Sequence, residues 1–191
     1  MSADFLIEPA VFLIDTLFSL YIFALLLRFL FQWVEADYYN PISQFLIKIT
    51  HPPLRWLRRF VPAIGKVDSA SLVLMLALQM LDGYLIFLLE GSALSPAGLA
   101  VWALAQLLGL LFNLYFFAIL IRALLSWVSP GVYNPAASLL YSLTEPVLRA
   151  CRRALPPVGG IDLSPLIPLI GIQLAKMLVL PPLQQLMALL S

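Results

Sequence analysis

Residues 28–68, RFLFQWVEADYYNPISQFLIKITHPPLRWLRRFVPAIGKVD, and residues 122–162, RALLSWVSPGVYNPAASLLYSLTEPVLRACRRALPPVGGID, are two versions of one segment. Laid over itself with a shift of 94 residues and no gap, the chain is identical at 26 of the 65 positions from Leu17 to Leu81. Leucine matches are cheap in so apolar a chain, so the polar matches decide the matter. Arg28 falls on Arg122, Trp33-Val34 on Trp127-Val128, and Tyr39-Asn40-Pro41 on Tyr133-Asn134-Pro135. Thr50 and Pro52 fall on Thr144 and Pro146, Arg55, Arg58 and Arg59 on Arg149, Arg152 and Arg153, and Asp68 on Asp162. A duplicated unit covers nearly the whole chain.

Outward from each copy the sequence turns apolar. Of 191 residues 62% are hydrophobic and 11% are charged, where a soluble domain carries about 25% charge. Four stretches are long enough to cross a bilayer core of about 30 Å as helices: about 9–34, 69–89, 97–128 and 163–180, the last expected to stop at Pro181-Pro182. None alternates polar with apolar residues as a barrel strand would. The first stretch follows Asp4 and Glu8 rather than basic residues, which argues against a cleaved signal peptide. The predicted class is an all-α membrane protein with four transmembrane helices. They form two parallel span–amphipathic segment–span repeats, at 9–90 and 97–190, with amphipathic segments at 41–61 and 135–155. An even number of spans per unit inserts both units the same way up, related by a pseudo-two-fold axis along the membrane normal.

Eight of the eleven Lys and Arg lie in the two long connections: Lys48, Arg55, Arg58, Arg59 and Lys66 in one, and Arg149, Arg152 and Arg153 in the other. Basic loops stay in the cytoplasm. Both connections are therefore expected there, with both termini facing outward. Within the first connection Ile42, Phe45, Leu46 and Ile49 are spaced as one helix face, and Ala136, Leu139, Leu140 and Leu143 repeat it. Thr-x-Pro is expected to break this helix and open a second. In that second helix Leu54, Leu57 and Val61 oppose the arginines. Such a basic amphipathic helix lies in the headgroup layer, where each basic residue contributes roughly 1 kcal/mol of attraction to anionic lipid. The competing readings of these arginines are interfacial anchoring, and docking of an anionic lipid or an acidic partner. Nucleic acid is not expected.

Charges inside the spans are costly and need an explanation. Arg28 and Arg122 each lie six residues before the end of a span. One reading pairs Arg28 with Asp68 and Arg122 with Asp162, clamping the two spans of each repeat; snorkelling and a gating role are the alternatives. Asp15, Asp82 and Lys176 form a second layer nearer the opposite surface. Asp82 and Lys176 are equivalent under the 94-residue shift yet opposite in charge, so a pair at the repeat interface is one expectation, snorkelling of Lys176 or an ion pathway the others.

The compound pattern R-x-L-x-x-W-V, Y-N-P, T-x-P-x-L-R-x-x-R-R-x-x-P, G-x-x-D resembles the repeat of the YggT-type integral membrane proteins. The copy at Gly159–Pro165 is closer to the family form than the one at Gly65–Ser71. The resemblance implies an inner-membrane protein with a link to osmotic-stress tolerance. Plastid relatives are associated with assembly of a cytochrome complex and with nucleoid distribution.

No catalytic constellation accompanies these features. The single histidine, His51, sits where the other copy has Glu145, and the single cysteine, Cys151, where it has Leu57. One of each cannot form a metal cluster, a bis-histidine haem site or a c-type attachment motif. No Gly-rich phosphate loop, nucleophile–base set or HExxH occurs. The expectation is a non-enzymatic scaffold or accessory factor without a cofactor, in contact with anionic lipid and with a membrane-protein partner or further copies of itself. The alternative is an oligomeric channel or transporter using the intramembrane charges.

Overall fold

A computed structural model describes residues 4–128, 134–152 and 164–190. The described residues form six helices: α1 (Asp4–Trp33), α2 (Pro41–Leu57), α3 (Ser69–Leu89), α4 (Pro96–Val128), α5 (Pro135–Arg152) and α6 (Leu166–Leu190). Four of them are long and apolar enough to cross a membrane: Leu6–Trp33, Ser69–Leu89, Pro96–Ser126 and Leu166–Leu190. A helix satisfies its own backbone donors and acceptors, which hydrocarbon cannot do. The outward side chains, among them Phe12, Leu17, Leu20, Ile170 and Leu178, are exposed apolar groups, as a lipid-facing surface requires.

α1 packs on α3 and α4 packs on α6, one antiparallel hairpin per repeat, and α3 against α4 joins the two. That junction is close because Gly83 lies under the Trp102 ring, where no Cβ fits. The symmetry-equivalent pair, α1 and α6, has no comparable contact, so the bundle is open along that side. Both amphipathic helices lie at the same end. α2 touches α5, and the Asn40 side-chain amide donates to the Pro135 carbonyl at 2.8 Å. The two repeats are therefore parallel.

Proline behaves differently from the sequence expectation in both classes of helix. α2 runs unbroken through Pro52 and Pro53, and α5 through Pro146, where Thr-x-Pro was expected to end one helix and begin another. A proline leaves the carbonyl four residues earlier without its helical donor. For Pro53 that carbonyl is Ile49, and the Tyr21 hydroxyl of α1 donates to it at 3.3 Å. A neighbouring helix thus supplies part of what the ring removes. Likewise α6 continues through Pro181 and Pro182 to Leu190 instead of stopping before them. Its far end is docked on the start of α4, where the Ser95 hydroxyl donates to the Leu190 carbonyl.

The inner stripe of α2 also differs from the expected one. Ser43, Leu46, Thr50 and Leu54 are buried, while Phe45 is 60% exposed. The buried side follows i, i+3, i+7, i+11 and carries two hydroxyls, because the surface it meets on α1 is polar at Arg28.

The centre of the bundle is apolar. Ile22, Leu25 and Leu26 of α1, Met75 of α3, Leu114 and Ala118 of α4, and Leu54 and Leu143 from the amphipathic helices form one buried cluster.

Candidate functional site

Two polar cavities lie at opposite ends of this cluster. The inner one, at the α2 end, has a volume of about 740 Å³ and is lined by Arg28, Ser43, His51, Arg58 and Asp68 among others. The outer one, about 700 Å³, lies between α1, α4 and α6 and is lined by Asp15, Ser19, Gln79, Asn113, Lys176 and Gln184 among others.

In the inner cavity Arg28 is only 8% exposed. Its Nη1 donates to Thr50 Oγ1 at 2.7 Å. Thr50 is fully buried and donates in turn to the Leu46 carbonyl at 2.6 Å. That bond one turn back commits the hydroxyl hydrogen and leaves the oxygen lone pairs for the arginine. The expected Arg28–Asp68 pair does not form. Asp68 lines the same cavity but accepts from Arg58 Nη2 at 2.5 Å and from the Ser71 hydroxyl at 2.7 Å. Arg58, which caps the end of α2, takes the carboxylate instead. Burial alone would raise the Asp68 carboxyl, but the bonds from Arg58 and Ser71 outweigh it and hold it below the ordinary carboxylate range. At the cavity rim Glu35 and Lys66 form a second pair at 2.5 Å, both largely exposed.

The second repeat keeps the arginine–threonine bond and changes its surroundings. Arg122 Nη1 donates to Thr144 Oγ1 at 2.9 Å and to the Tyr141 carbonyl at 3.2 Å, and its guanidinium lies 4.8 Å from the Tyr141 ring centroid. Its Nη2 donates to Glu145 Oε2 at 2.6 Å. That bond holds the Glu145 carboxyl below its ordinary value, with the charges of Arg122, Arg152 and Arg149 acting in the same direction. Asp162, the expected partner of Arg122, and Arg153 lie outside the described residues. The sequence reading missed Thr50, Thr144 and Glu145 as arginine partners. Thr50 and Thr144 were visible as matched residues, and only their place on the buried stripe gives them this role.

The expected pair of Asp82 and Lys176 is also absent. Asp82 is fully buried and accepts from the Gln79 amide at 3.0 Å, while Lys176 donates to Asn113 Oδ1 at 2.7 Å across the α4–α6 hairpin. Each of these bonds lies within one repeat, and the Asp82 Oδ1 atom is buried without a hydrogen-bond partner. Asp15, exposed on α1, accepts from Ser19 at 3.4 Å.

Among the arginines expected to face lipid or a partner, Arg55, Arg59, Arg149 and Arg152 are exposed, whereas Arg58 is partly withdrawn to hold Asp68. Arg149 and Arg152 each approach Glu145 Oε1 at 3.5 Å. Arg59 stacks 4.9 Å from the Trp56 ring. Trp56 and Phe60 are 67% and 80% exposed, an aromatic and basic fringe of the kind that seats a helix at a membrane surface. Cys151 is a half-buried free thiol. Among the described residues no group of three or more His, Cys, Asp or Glu is placed to hold a metal ion.

A bundle of four apolar spans with a basic amphipathic helix at the base of each hairpin defines a duplicated polytopic membrane protein. The CCB3/YggT family model matches it twice, at residues 7–89 and 101–183, and the chain belongs to that family. It is 41% identical over 173 residues to the uncharacterized protein PA0392 of Pseudomonas aeruginosa, covering 90% of this chain and 88% of that one. It is 42% identical over 158 residues to the uncharacterized protein YggT of Escherichia coli K12, covering 82% and 81%. An uncharacterized protein of Haemophilus influenzae is 36% identical over 154 residues, covering 81% and 82%. No solved structure matches the chain.

Proposed function

We propose that the chain is a non-enzymatic integral protein of the bacterial inner membrane, a scaffold or accessory factor in envelope physiology. The setting its family resemblance suggests is tolerance of osmotic stress. In this reading the basic end faces the cytoplasm, both termini face the periplasm, and the exposed arginines contact anionic lipid and a protein partner. The observation that carries it is the apolar plug: Ile22, Leu25, Leu26, Met75 and Leu114 separate the two polar cavities. From Ser19 at the outer cavity to Arg28 at the inner one is about 13 Å along α1. A channel needs that stretch to be polar or mobile. A scaffold needs it packed, with its platform held rigidly to the spans, and the arginine–threonine bonds do that.

The outer cavity favours a second reading, an oligomeric channel or transporter. A space of about 700 Å³ carrying Asp15, Lys176 and several amides is a costly feature inside a bilayer.

The test combines cells and vesicles. A strain lacking the protein is expected to survive osmotic upshift poorly, and the wild-type chain to restore survival. A chain carrying Arg55→Ala, Arg59→Ala and Arg149→Ala is expected not to restore it, although it inserts normally. The purified chain in sealed vesicles is expected to pass no ions or small solutes. Flux that disappears in Lys176→Ala would replace the scaffold reading with the channel one.

A further inference from the structure

Burying a cation without an anion is expensive, and proteins almost always supply the partner themselves. The second repeat does so: Glu145 meets Arg122 at 2.6 Å. The first repeat does not. His51 occupies the position of Glu145, and among the described residues no carboxylate lies within salt-bridge distance of Arg28. Its one bond is to Thr50, which leaves most of the five-donor guanidinium fork uncommitted. Asp68 is taken by Arg58 and Ser71, and Glu35 at the rim is taken by Lys66. The buried Ser43 hydroxyl, on the same cavity wall, has no hydrogen-bond partner; the second repeat has Ala137 there. Subtracting the pairs already made leaves one buried positive charge, one unused hydroxyl and the second oxygen of Asp68, which also has no hydrogen-bond partner, around a cavity of about 740 Å³. That volume lies within the range of small-ligand sites, about 300–1,000 Å³.

We propose that the inner cavity of the first repeat binds a phosphate-bearing anion, with Arg28 as its principal charge, Ser43 as a donor and His51 on its wall. The second repeat carries its own carboxylate in the corresponding place. Phosphate chemistry fits because a guanidinium fork meets two of its oxygens at once and a hydroxyl can serve a third. The anion comes either from a lipid headgroup entering at the membrane surface or from a soluble phosphate. The site does not depend on the scaffold reading, whose test uses arginines outside the cavity.

The experiment uses the full chain in phosphatidylcholine nanodiscs, with the thermal midpoint followed as anion is added. One arm incorporates increasing phosphatidylglycerol; the other adds inorganic phosphate against sodium chloride of equal ionic strength. Stabilisation in at least one arm beyond the chloride control is expected. A response to the lipid alone assigns the site to a headgroup, and a response to inorganic phosphate assigns it to a soluble anion. His51→Glu copies the residue of the second repeat, so it is expected to fold, and it should weaken the anion response by about tenfold or more. Lys48→Gln makes the same change in net charge at an exposed position outside the cavity and should leave the response unchanged. No stabilisation in either arm overturns the proposal. So does an equal loss in His51→Glu and Lys48→Gln, which would reduce the effect to bulk electrostatics, or a full response in His51→Glu.

Discussion

Arg28 donates to the Thr50 hydroxyl at 2.7 Å, tying the end of a membrane span to the middle of the amphipathic helix that follows it. Arg122 and Thr144 repeat the bond 94 residues later at 2.9 Å. It is the conserved geometry of the duplication, and it fixes how each basic platform sits against its hairpin.

Removing the hydroxyl should cost more in the first repeat than in the second. Thr50→Val leaves Arg28 buried with none of its present bonds, and hydrogen bonds to charged groups contribute about 1.5–3 kcal/mol. Thr144→Val leaves Arg122 with Glu145 and the Tyr141 carbonyl, so a loss of about 1 kcal/mol or less is expected. Unfolding of the two variants in the same detergent measures the difference; equal losses would show that Glu145 does not support its arginine.

Acid should weaken the platform. The Arg122 bond holds Glu145, and the Arg58 and Ser71 bonds hold Asp68, below ordinary carboxylate values. A depressed folded-state pKa contributes stability that is fully present above the unfolded value, about 4 for Asp and Glu, and is lost as pH falls through the folded one. The unfolding midpoint is therefore expected to drop on acidification below about pH 4, and to drop less steeply in Glu145→Gln and in Asp68→Asn.

The α3–α4 junction depends on the absence of a side chain. A Cβ at position 83 would run into the Trp102 ring and press on Leu99, and overpacking of this kind costs typically 1–3 kcal/mol. Gly83→Ala should lower the unfolding midpoint, and Trp102→Leu in the same chain should recover most of the loss. Failure of the second substitution to help would mean the helices approach elsewhere.

Asp82 and Lys176 should prove energetically independent. Asp82 is held by Gln79 and Lys176 by Asn113, in different hairpins. A double-mutant cycle with Asp82→Asn and Lys176→Gln is expected to return a coupling below about 0.5 kcal/mol. A larger value would restore the interfacial pair that their matched positions suggest.

Much of the architecture was legible in residue order. Four apolar runs and a gapless duplication sufficed for the number of spans, the two repeats and the amphipathic helix at the base of each. Composition and periodicity act along the chain, and hydrocarbon enforces them without regard to what lies alongside. The helix ends at Pro181-Pro182 and at Thr50-His51-Pro52 were misjudged for the complementary reason. At Pro53 the freed carbonyl is answered from a neighbouring helix, and Tyr21 is 28 residues from the Ile49 carbonyl it serves.

Which charge meets which was decided by tertiary structure alone. The sequence supplied Arg28, Asp68, Arg122, Asp82 and Lys176 as groups that need partners, because charge inside a bilayer is costly wherever it sits. It could not say that Arg58 takes Asp68, that Thr50 turns inward beneath Arg28, or that replacing Glu145 by His51 leaves one arginine without a carboxylate. Those outcomes depend on how α2 and α5 lie against their spans, and a hydrogen bond forms only where donor and acceptor come within about 3.2 Å.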